Sequence, residues 1–312
     1  MVQREKIRIG TRGSALALAQ AEEVRQKLCD AHALHHEDFE ICVISTAGDR
    51  IQDRPLSEVG GKGLFSKEIE AALLRRELDF AVHSTKDMAS TLPEGLAITS
   101  YLEREDVRDA FLSPVCGSVQ DLPRGAVVGS SSLRRQALLK RLRPDIEVVM
   151  FRGNVQTRLA KLDKGEVAAT LLACAGLARL QLDHVITARL DVDEFPPAPG
   201  QGAICIESRE DDERIRHMVS AISHEETALG IEAERAFLKA LDGSCRTPIA
   251  GYSRRDGDML HFSGMILSDD GQDVFESSAS CPAQLPAARA MGDAEGKKLR
   301  QQAGDDFFHH WT

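Results

Sequence analysis

Three things are missing from this chain of 312 residues, and each removes a class of function. No run of about 18 apolar residues occurs, so no helical segment is expected to span a bilayer and no membrane partner is expected. No C-x-x-C pair occurs among the seven cysteines, which stand at wide, irregular spacings. That removes the zinc and thioredoxin-like readings, so no metal is expected, and the odd count points to free thiols in a reducing compartment. No excess of positive charge is present either, since the formal net charge is −10. Nucleic acid is therefore not an expected partner, because phosphate binding calls for a net basic face. An anionic ligand must instead meet arginines gathered locally against the global sign. The first ten residues lack the apolar core of a secretory signal, which predicts a cytoplasmic chain. Internal repeats and low-complexity tracts are absent as well.

What is present alternates between strand and helix. With 42% of its residues hydrophobic the chain can bury a sizeable core, and at about 100–200 residues per domain two or three domains are expected. Residues 7–10 read as a strand and 14–28 as a helix, with Leu16, Ala19, Val24 and Leu28 near helical spacing. Further strands are expected at 39–45, 79–83, 97–102, 126–129, 147–150, 168–172 and 203–207, with a helix at 66–76. This alternation argues for an α/β fold of parallel sheets with helices on both faces. Two stretches interrupt it: the charged run 103–106, and Pro-Pro-Ala-Pro-Gly-Gln-Gly at 196–202, whose prolines and glycines break regular structure. Both read as crossings between lobes. From about Glu225 the pattern changes to a helix through Lys239, hairpin-like runs at 249–253, 259–268 and 273–280, and a closing helix over 286–302. That predicts a small α+β domain.

Ligands of open α/β sheets bind beyond the carboxyl ends of the strands, so the residues after each predicted strand are the candidates. Arg12 and Ser14 follow the first; Ser84, Lys86 and Asp87 follow 79–83; Ser130, Ser131, Ser132, Arg134 and Arg135 follow 126–129. Arg152, Gly153 and Arg158 follow 147–150, and Arg179 comes shortly after 168–172. Five strand ends with a small or hydroxyl residue plus a cation suggest an anion-binding cleft. Arg134 and Arg135 are the sharpest case. Ser131 or Ser132 is a natural N-cap, which puts both arginines in a first helical turn, against the macrodipole at about 0.3–1 kcal/mol each. A bound carboxylate reverses that sign; the plainer alternative is a solvated pair on a surface helix. Asp87 alone most often means a surface carboxylate or a cap, and its place beside Lys86 at a strand end raises the functional case. His83 reads as a structural strand residue. Cys245 reads as an ordinary thiol, although its small-residue loop can expose it and the neighbouring Arg246 favours the thiolate. Gly60-Gly-Lys-Gly63 lacks P-loop spacing and reads as a flexible loop or a mobile cover.

In order along the chain stand Val59-Gly-Gly-Lys-Gly-Leu-Phe65, His83-Ser-Thr-Lys-Asp87, Ser130-Ser-Ser-Leu-Arg-Arg135, Arg152-Gly-Asn-Val-Gln-Thr-Arg158 and Gly243-Ser-Cys-Arg-Thr-Pro248. Together they resemble the porphobilinogen deaminase (hydroxymethylbilane synthase) family, from about Ile7 to Thr247 and more weakly to the C-terminus. The resemblance implies two domains like type II periplasmic binding proteins with a central cleft, residues 1–102 with 203–222 and residues 103–202, plus a small α+β domain over 223–312. It implies a transferase of tetrapyrrole and heme biosynthesis. Four porphobilinogen molecules are condensed head to tail, with loss of ammonia at each step, and the linear tetrapyrrole hydroxymethylbilane is released. Growth takes place on a dipyrromethane cofactor, whose thioether attachment matches Cys245.

By the same match Asp87 is the catalytic carboxylate, stabilising positive charge at pyrrole N–H groups as the electrophile forms and is attacked. Ser84, Lys86, Asp87, Ser130, Ser132, Arg134 and Arg135 match cofactor-holding residues. Arg12, Ser14, Arg152, Gly153, Arg158, Arg179 and Gln201 match residues near the substrate or the growing chain, and Lys62 and Phe65 fall on a mobile loop. The family commonly has glycine where this chain has Ser244, and some members have lysine where it has Glu58. The expected partner is the small molecule porphobilinogen, and the expected state is a monomer. Two other classes fit parts of the pattern. A two-lobed carboxylate receptor lacks a reason for the cysteine loop, and a regulator's effector domain lacks a helix-turn-helix segment.

Overall fold

The computed structural model describes residues 6–50, 63–243 and 247–308. Glu58, Lys62, Ser244 and Cys245, each singled out above, lie outside the described residues. The chain divides into two compact units. The first takes in the described residues up to 105 together with 203–228, and the second takes in 106–202 and the described residues from 229 onward.

In chain order the first unit builds β1 (Ile7–Thr11), α1 (Ala15–His32), β2 (Phe39–Val43), α2 (Ala47–Arg50), α3 (Lys67–Leu74), β3 (Phe80–Ser84) and β4 (Leu96–Tyr101). The second then builds β5 (Asp109–Leu112), β6 (Val127–Gly129), α4 (Leu133–Leu142), β7 (Glu147–Val149), α5 (Val155–Asp163), β8 (Ala169–Ala173), α6 (Cys174–Arg179) and β9 (Ala188–Arg189). The chain returns to the first unit for β10 (Ile204–Arg209) and α7 (Glu213–Ser220). Beyond α8 (Glu225–Ala240) come β11 (Ile249–Asp256), β12 (Met259–Leu267), β13 (Val274–Pro282), α9 (Leu285–Ala303) and α10 (Asp305–Phe308).

The two five-stranded sheets repeat one order, β2-β1-β3-β10-β4 in the first unit and β7-β6-β8-β5-β9 in the second. The fully parallel sheets expected from strand–helix alternation are corrected to mixed ones. In the first, β10 runs antiparallel to both β3 and β4; in the second, β5 runs antiparallel to both β8 and β9. The reason is connectivity. Each antiparallel strand is the first one laid down after the chain changes unit, so it arrives without the crossover helix that would reverse its direction. Short β5 and β9 escaped the sequence reading, being runs of four and two residues.

Both faces of the first sheet are covered, as α/β architecture requires. Ile9, Phe80, Val82, Ile204 and Ile206 pack with Val24 and Leu28 of α1 and Ile215 and Val219 of α7. On the opposite face Ile69, Ala72 and Leu73 of α3 meet Leu78, Ala81 and Leu96. Each such fully buried large apolar side chain stabilises the fold by about 1.5–3 kcal/mol. In the second unit Phe111, Val128, Ala169 and Leu171 share a core with α4 and with Ala250, Met265 and Leu267 of the third, antiparallel sheet β11-β12-β13. That shared core joins residues 229–308 to this unit, and Arg141 of α4 adds an ion pair to Glu276 at 3.0 Å. The third sheet packs on α8 and α9 around Phe237, Phe262 and Ile266. Gly292 is what lets α9 approach: a Cβ there would meet the carbonyl oxygen of Ala233 at 2.0 Å. Among the described residues no helix is long and apolar enough to cross a membrane.

Candidate active site

In the first unit the polar side chains gather where β1 and β3 end. Ser14 caps α1, its Oγ accepting from the Ala17 N–H at 3.2 Å. Asp87 closes a 3-10 turn over Thr85–Asp87, started by a hydrogen bond from the Thr85 N–H to the Ala203 carbonyl at 3.0 Å. Lys86 sits half-buried on the same turn. Arg12, Ser14, Gln20, Phe65, Ser66, His83, Ser84 and Asp87 line a cavity of about 60 Å³. Ser84 Oγ and the Gln20 amide exchange hydrogen bonds at 2.8 and 3.1 Å, which fixes the serine at the cavity wall.

Arg12 is held on three sides. Its Nε donates to Asp49 Oδ1 at 3.1 Å, its guanidinium carbon lies 4.1 Å from the Phe65 ring centroid, and its Nη1 is 3.7 Å from Asp87 Oδ2. Asp49 is in turn bonded by the Thr46 hydroxyl at 2.8 Å. Burial alone would raise the Asp49 carboxyl; hydrogen bonds from Arg12 and Thr46 outweigh it and hold the group below the usual carboxylate range.

The second unit gathers cations at the ends of β6 and β7. Ser132 caps α4, so Arg134 and Arg135 do stand in its first turn. They are not a solvated surface pair: both are buried, and both meet Asp109, the fully buried first residue of β5. Arg134 Nη2 lies 2.6 Å from Asp109 Oδ2, and Arg135 Nη2 lies 2.6 Å from Oδ1. The Gln201 amide donates to the same carboxylate at 3.0 Å and to the Val107 carbonyl at 2.7 Å. Burial would raise the Asp109 carboxyl, but the two arginine charges and their hydrogen bonds drive it far below the usual range. Arg134 keeps a buried Nε with no hydrogen-bond partner.

The loop after β7 carries Arg152, Gly153 and the N-cap Asn154 of α5. Gly153 adopts φ 129, a backbone conformation that L side chains rarely take, and Arg158 Nε closes back onto its carbonyl at 2.9 Å. Burial, followed by the charges of Arg135 and Arg152, pushes Arg158 down to about 10. No carboxylate of the described residues pairs with Arg158. Ser130 and Ser131 stitch β6 to β7, through Ser130 N–H to the Val149 carbonyl at 2.9 Å and Phe151 N–H to Ser131 Oγ at 3.1 Å. Arg179 reaches the Gly202 carbonyl at 3.2 Å.

The structure therefore gathers Arg12, Ser14, Phe65, Ser84, Lys86 and Asp87 in one unit, and Ser130, Ser132, Arg134, Arg135, Arg152, Gly153, Arg158, Arg179 and Gln201 in the other. Four residues escaped the sequence reading: Gln20, Asp49, Asp109 and Glu207. Gln20 left a trace, as the polar residue on the stripe Leu16, Gln20, Val24, Leu28 spaced every four positions. Asp109 opens the apolar run Ala110-Phe-Leu112, an unusual place for a carboxylate that is not paired. Among the described residues no group of three or more His, Cys, Asp or Glu could hold a metal ion.

Two mixed α/β units of one strand order, each with polar side chains at its strand ends, define the class of two-unit mixed α/β proteins. Sequence relatives narrow that class. Residues 7–217 match the family model "Porphobilinogen deaminase, dipyromethane cofactor binding domain", and residues 228–301 match "Porphobilinogen deaminase, C-terminal domain". A porphobilinogen deaminase of Nitrobacter hamburgensis is 56% identical over 300 residues, covering 96% of this chain and 94% of its own length. The chain belongs to the porphobilinogen deaminase family.

Two solved structures share less sequence with this chain. A periplasmic substrate-binding protein of an ABC transporter from Coxiella burnetii is 14% identical, with TM-score 0.42, over 69% of this chain and 91% of its own. The methionine-binding protein MetQ is 14% identical, with TM-score 0.45, over 72% and 93%.

Proposed function

We propose that the chain works as a hydroxymethylbilane synthase, a transferase that condenses four porphobilinogen molecules head to tail and releases ammonia and a linear tetrapyrrole. The carrying observation is a division of charge. One unit presents the carboxylate Asp87 to a cavity, and the other keeps Arg158 beside Arg135 and Arg152, with no carboxylate of the described residues pairing it. Pyrrole rings that become cationic suit the first unit's cavity, and acetate and propionate arms suit the second unit's cations.

The donor set suits a dipyrromethane cofactor, because Arg158 is strained by like charge and Arg134 holds an unsatisfied buried N–H. In this reading Ser84, Lys86, Asp87, Ser130, Ser132, Arg134 and Arg135 hold it, and Cys245 carries it through a thioether. When bound, the cofactor supplies the first pyrrole carbon that accepts an incoming unit. Asp87 accepts hydrogen bonds from pyrrole N–H groups and stabilises the positive charge that develops as ammonia leaves the substrate. Arg12 is fixed by Asp49 with its Nη1 edge turned to Asp87, so it orients a substrate carboxylate near that charge. Ser14, Arg152, Gly153, Arg158, Arg179 and Gln201 serve the substrate and the growing chain, and Lys62 and Phe65 serve its cover. The reading takes the chain as a cytoplasmic monomer of three domains, residues 1–102 with 203–222, 103–202 and 223–312.

Intact mass under denaturing conditions tests the attachment. An addition of two pyrrole units is expected, lost in Cys245→Ser; an unmodified yet active chain refutes it. Asp87→Asn should lower turnover of porphobilinogen by about 100-fold or more with thermal unfolding unchanged. Near-normal turnover excludes Asp87 from the role.

A further inference from the structure

Behind the cavity of Asp87 lies a set of titratable side chains that the reading above does not use. His83 is 6% exposed, on the wall of that cavity. Its Nε2 lies 3.1 Å from Oε2 of Glu207, which is fully buried on β10. The pair is set by the sheet register. His83 pairs with Cys205 and Ala81 with Glu207, so the two side chains are diagonal neighbours on one face. The α3 helix covers that face and adds Glu70, itself 5% exposed. Oε1 of Glu207 is buried with no hydrogen-bond partner. Burial holds the Glu70 carboxyl above its usual range, and the charge of Glu207 adds to the shift.

Among the described residues the titratable and charged groups around His83 are Glu207 and Cys205 from β10, Glu70 and Lys67 from α3, and Asp87 and Arg12 on the cavity wall. With Glu207 ionised, its hydrogen bond requires the proton on His83 Nε2 and leaves Nδ1 as the basic nitrogen. An ionised Glu207 is then a fully buried negative charge, and among the described residues its one ion-pair partner is His83. A proton taken up by His83 cancels it, and buried charge is expensive unless paired.

The condensation supplies such a proton. Each coupling breaks the C–N bond of a protonated aminomethyl group (–CH2–NH3+) and a C–H bond of the acceptor pyrrole, and it forms one C–C bond. Ammonia leaves with the C–N electron pair, the C–H pair stays in the ring, and one proton is set free. We propose that His83, positioned by Glu207 and Glu70, receives that proton on its way out of the cavity. This rests on the reading that Asp87 marks the place of coupling.

Three variants test it: His83→Gln, which keeps a hydrogen bond to Glu207 but carries no proton, Glu207→Gln, and Asp87→Asn. Saturating turnover as a function of pH is one readout. The nitrogen of the His83 ring that carries the proton, read by NMR in the full chain, is the other. We expect His83→Gln to lower kcat by about 100-fold with KM within twofold, and to remove a limb of the pH profile. Glu207→Gln should release the His83 proton from its fixed Nε2 position, because the carboxylate that accepts from it is gone. A folded His83→Gln chain with kcat within twofold and an unaltered pH profile overturns the proposal. So does a His83 tautomer indifferent to Glu207→Gln, which decides the matter if His83→Gln does not fold. If Asp87→Asn is near-normal, the reading of the cavity itself fails. If Asp87→Asn collapses while His83→Gln does not, only the proton path falls.

Discussion

The two five-stranded sheets share one strand order, yet they treat a buried acid on their antiparallel strand in opposite ways. On β5 Asp109 is clamped between Arg134 and Arg135, cations that stay protonated at any working pH. On β10 Glu207 meets His83, a cation only when a proton is at hand. One unit therefore has a permanent internal salt and the other a titratable pair. The same contrast holds at the sheet ends. Arg12 in the first unit is largely answered by Asp49, while Arg158 in the second is pressed by Arg135 and Arg152. A shared backbone plan thus supports an acid-bearing cavity in one unit and cation-rich strand ends in the other.

The comparison is broken most severely at Asp109. Asp109→Asn leaves two buried guanidinium groups without their counter-charge, and it should cost about 3–5 kcal/mol in chemical denaturation at neutral pH. The folded-state carboxyl is held below its unfolded value near 3.9, so this contribution is complete above about pH 4 and is lost as pH falls through the lower folded value. The gap between parent and variant should narrow in acid; a gap constant down to low pH would contradict the pairing as its source.

Arg158→Gln sharpens the second half of the contrast. It removes a cation from a crowd of its own sign, so folding stability should hold or rise slightly. The loss of one charge-assisted contact, about 1.5–3 kcal/mol, should raise KM for porphobilinogen by about tenfold or more. A chain that loses stability and keeps its KM would show Arg158 to be a packing residue.

The smallest effect is the most diagnostic because its sign is reversed. Glu70 has its folded-state carboxyl raised, so its ionised form is disfavoured in the native chain. Parent and Glu70→Gln should be equally stable below about pH 4.3, where the carboxyl is protonated folded and unfolded. As pH rises the parent loses stability that the variant keeps, so Glu70→Gln should melt higher at neutral pH. Thermal melts at two pH values decide it, and a destabilised variant at neutral pH would count against burial as the cause of the shift.

Much of the architecture was legible along the chain. Strands at Ile7–Thr11, Phe39–Val43 and Val127–Gly129 fall within a residue or two of their periodic runs, because a buried strand and an amphipathic helix each impose a local period. The first-turn position of Arg134 and Arg135 was legible too, since an N-cap serine acts within three residues. Their counter-ion was not. Asp109 lies 25 residues from Arg134, in a four-residue strand too short for a period to register. The His83–Glu207 pair spans 124 residues and exists only because β10 slots in beside β3.

Local periodicity by itself determined the α/β class and the strand ends where polar residues gather, and the ordered motifs carried the resemblance to the family. These depend on spacing within a few residues. Only the tertiary structure decided which charges neutralise one another, that Arg134 and Arg135 are buried on Asp109, and that Glu207 stands behind His83. Coulomb interactions and desolvation act through space, and folding alone sets those distances.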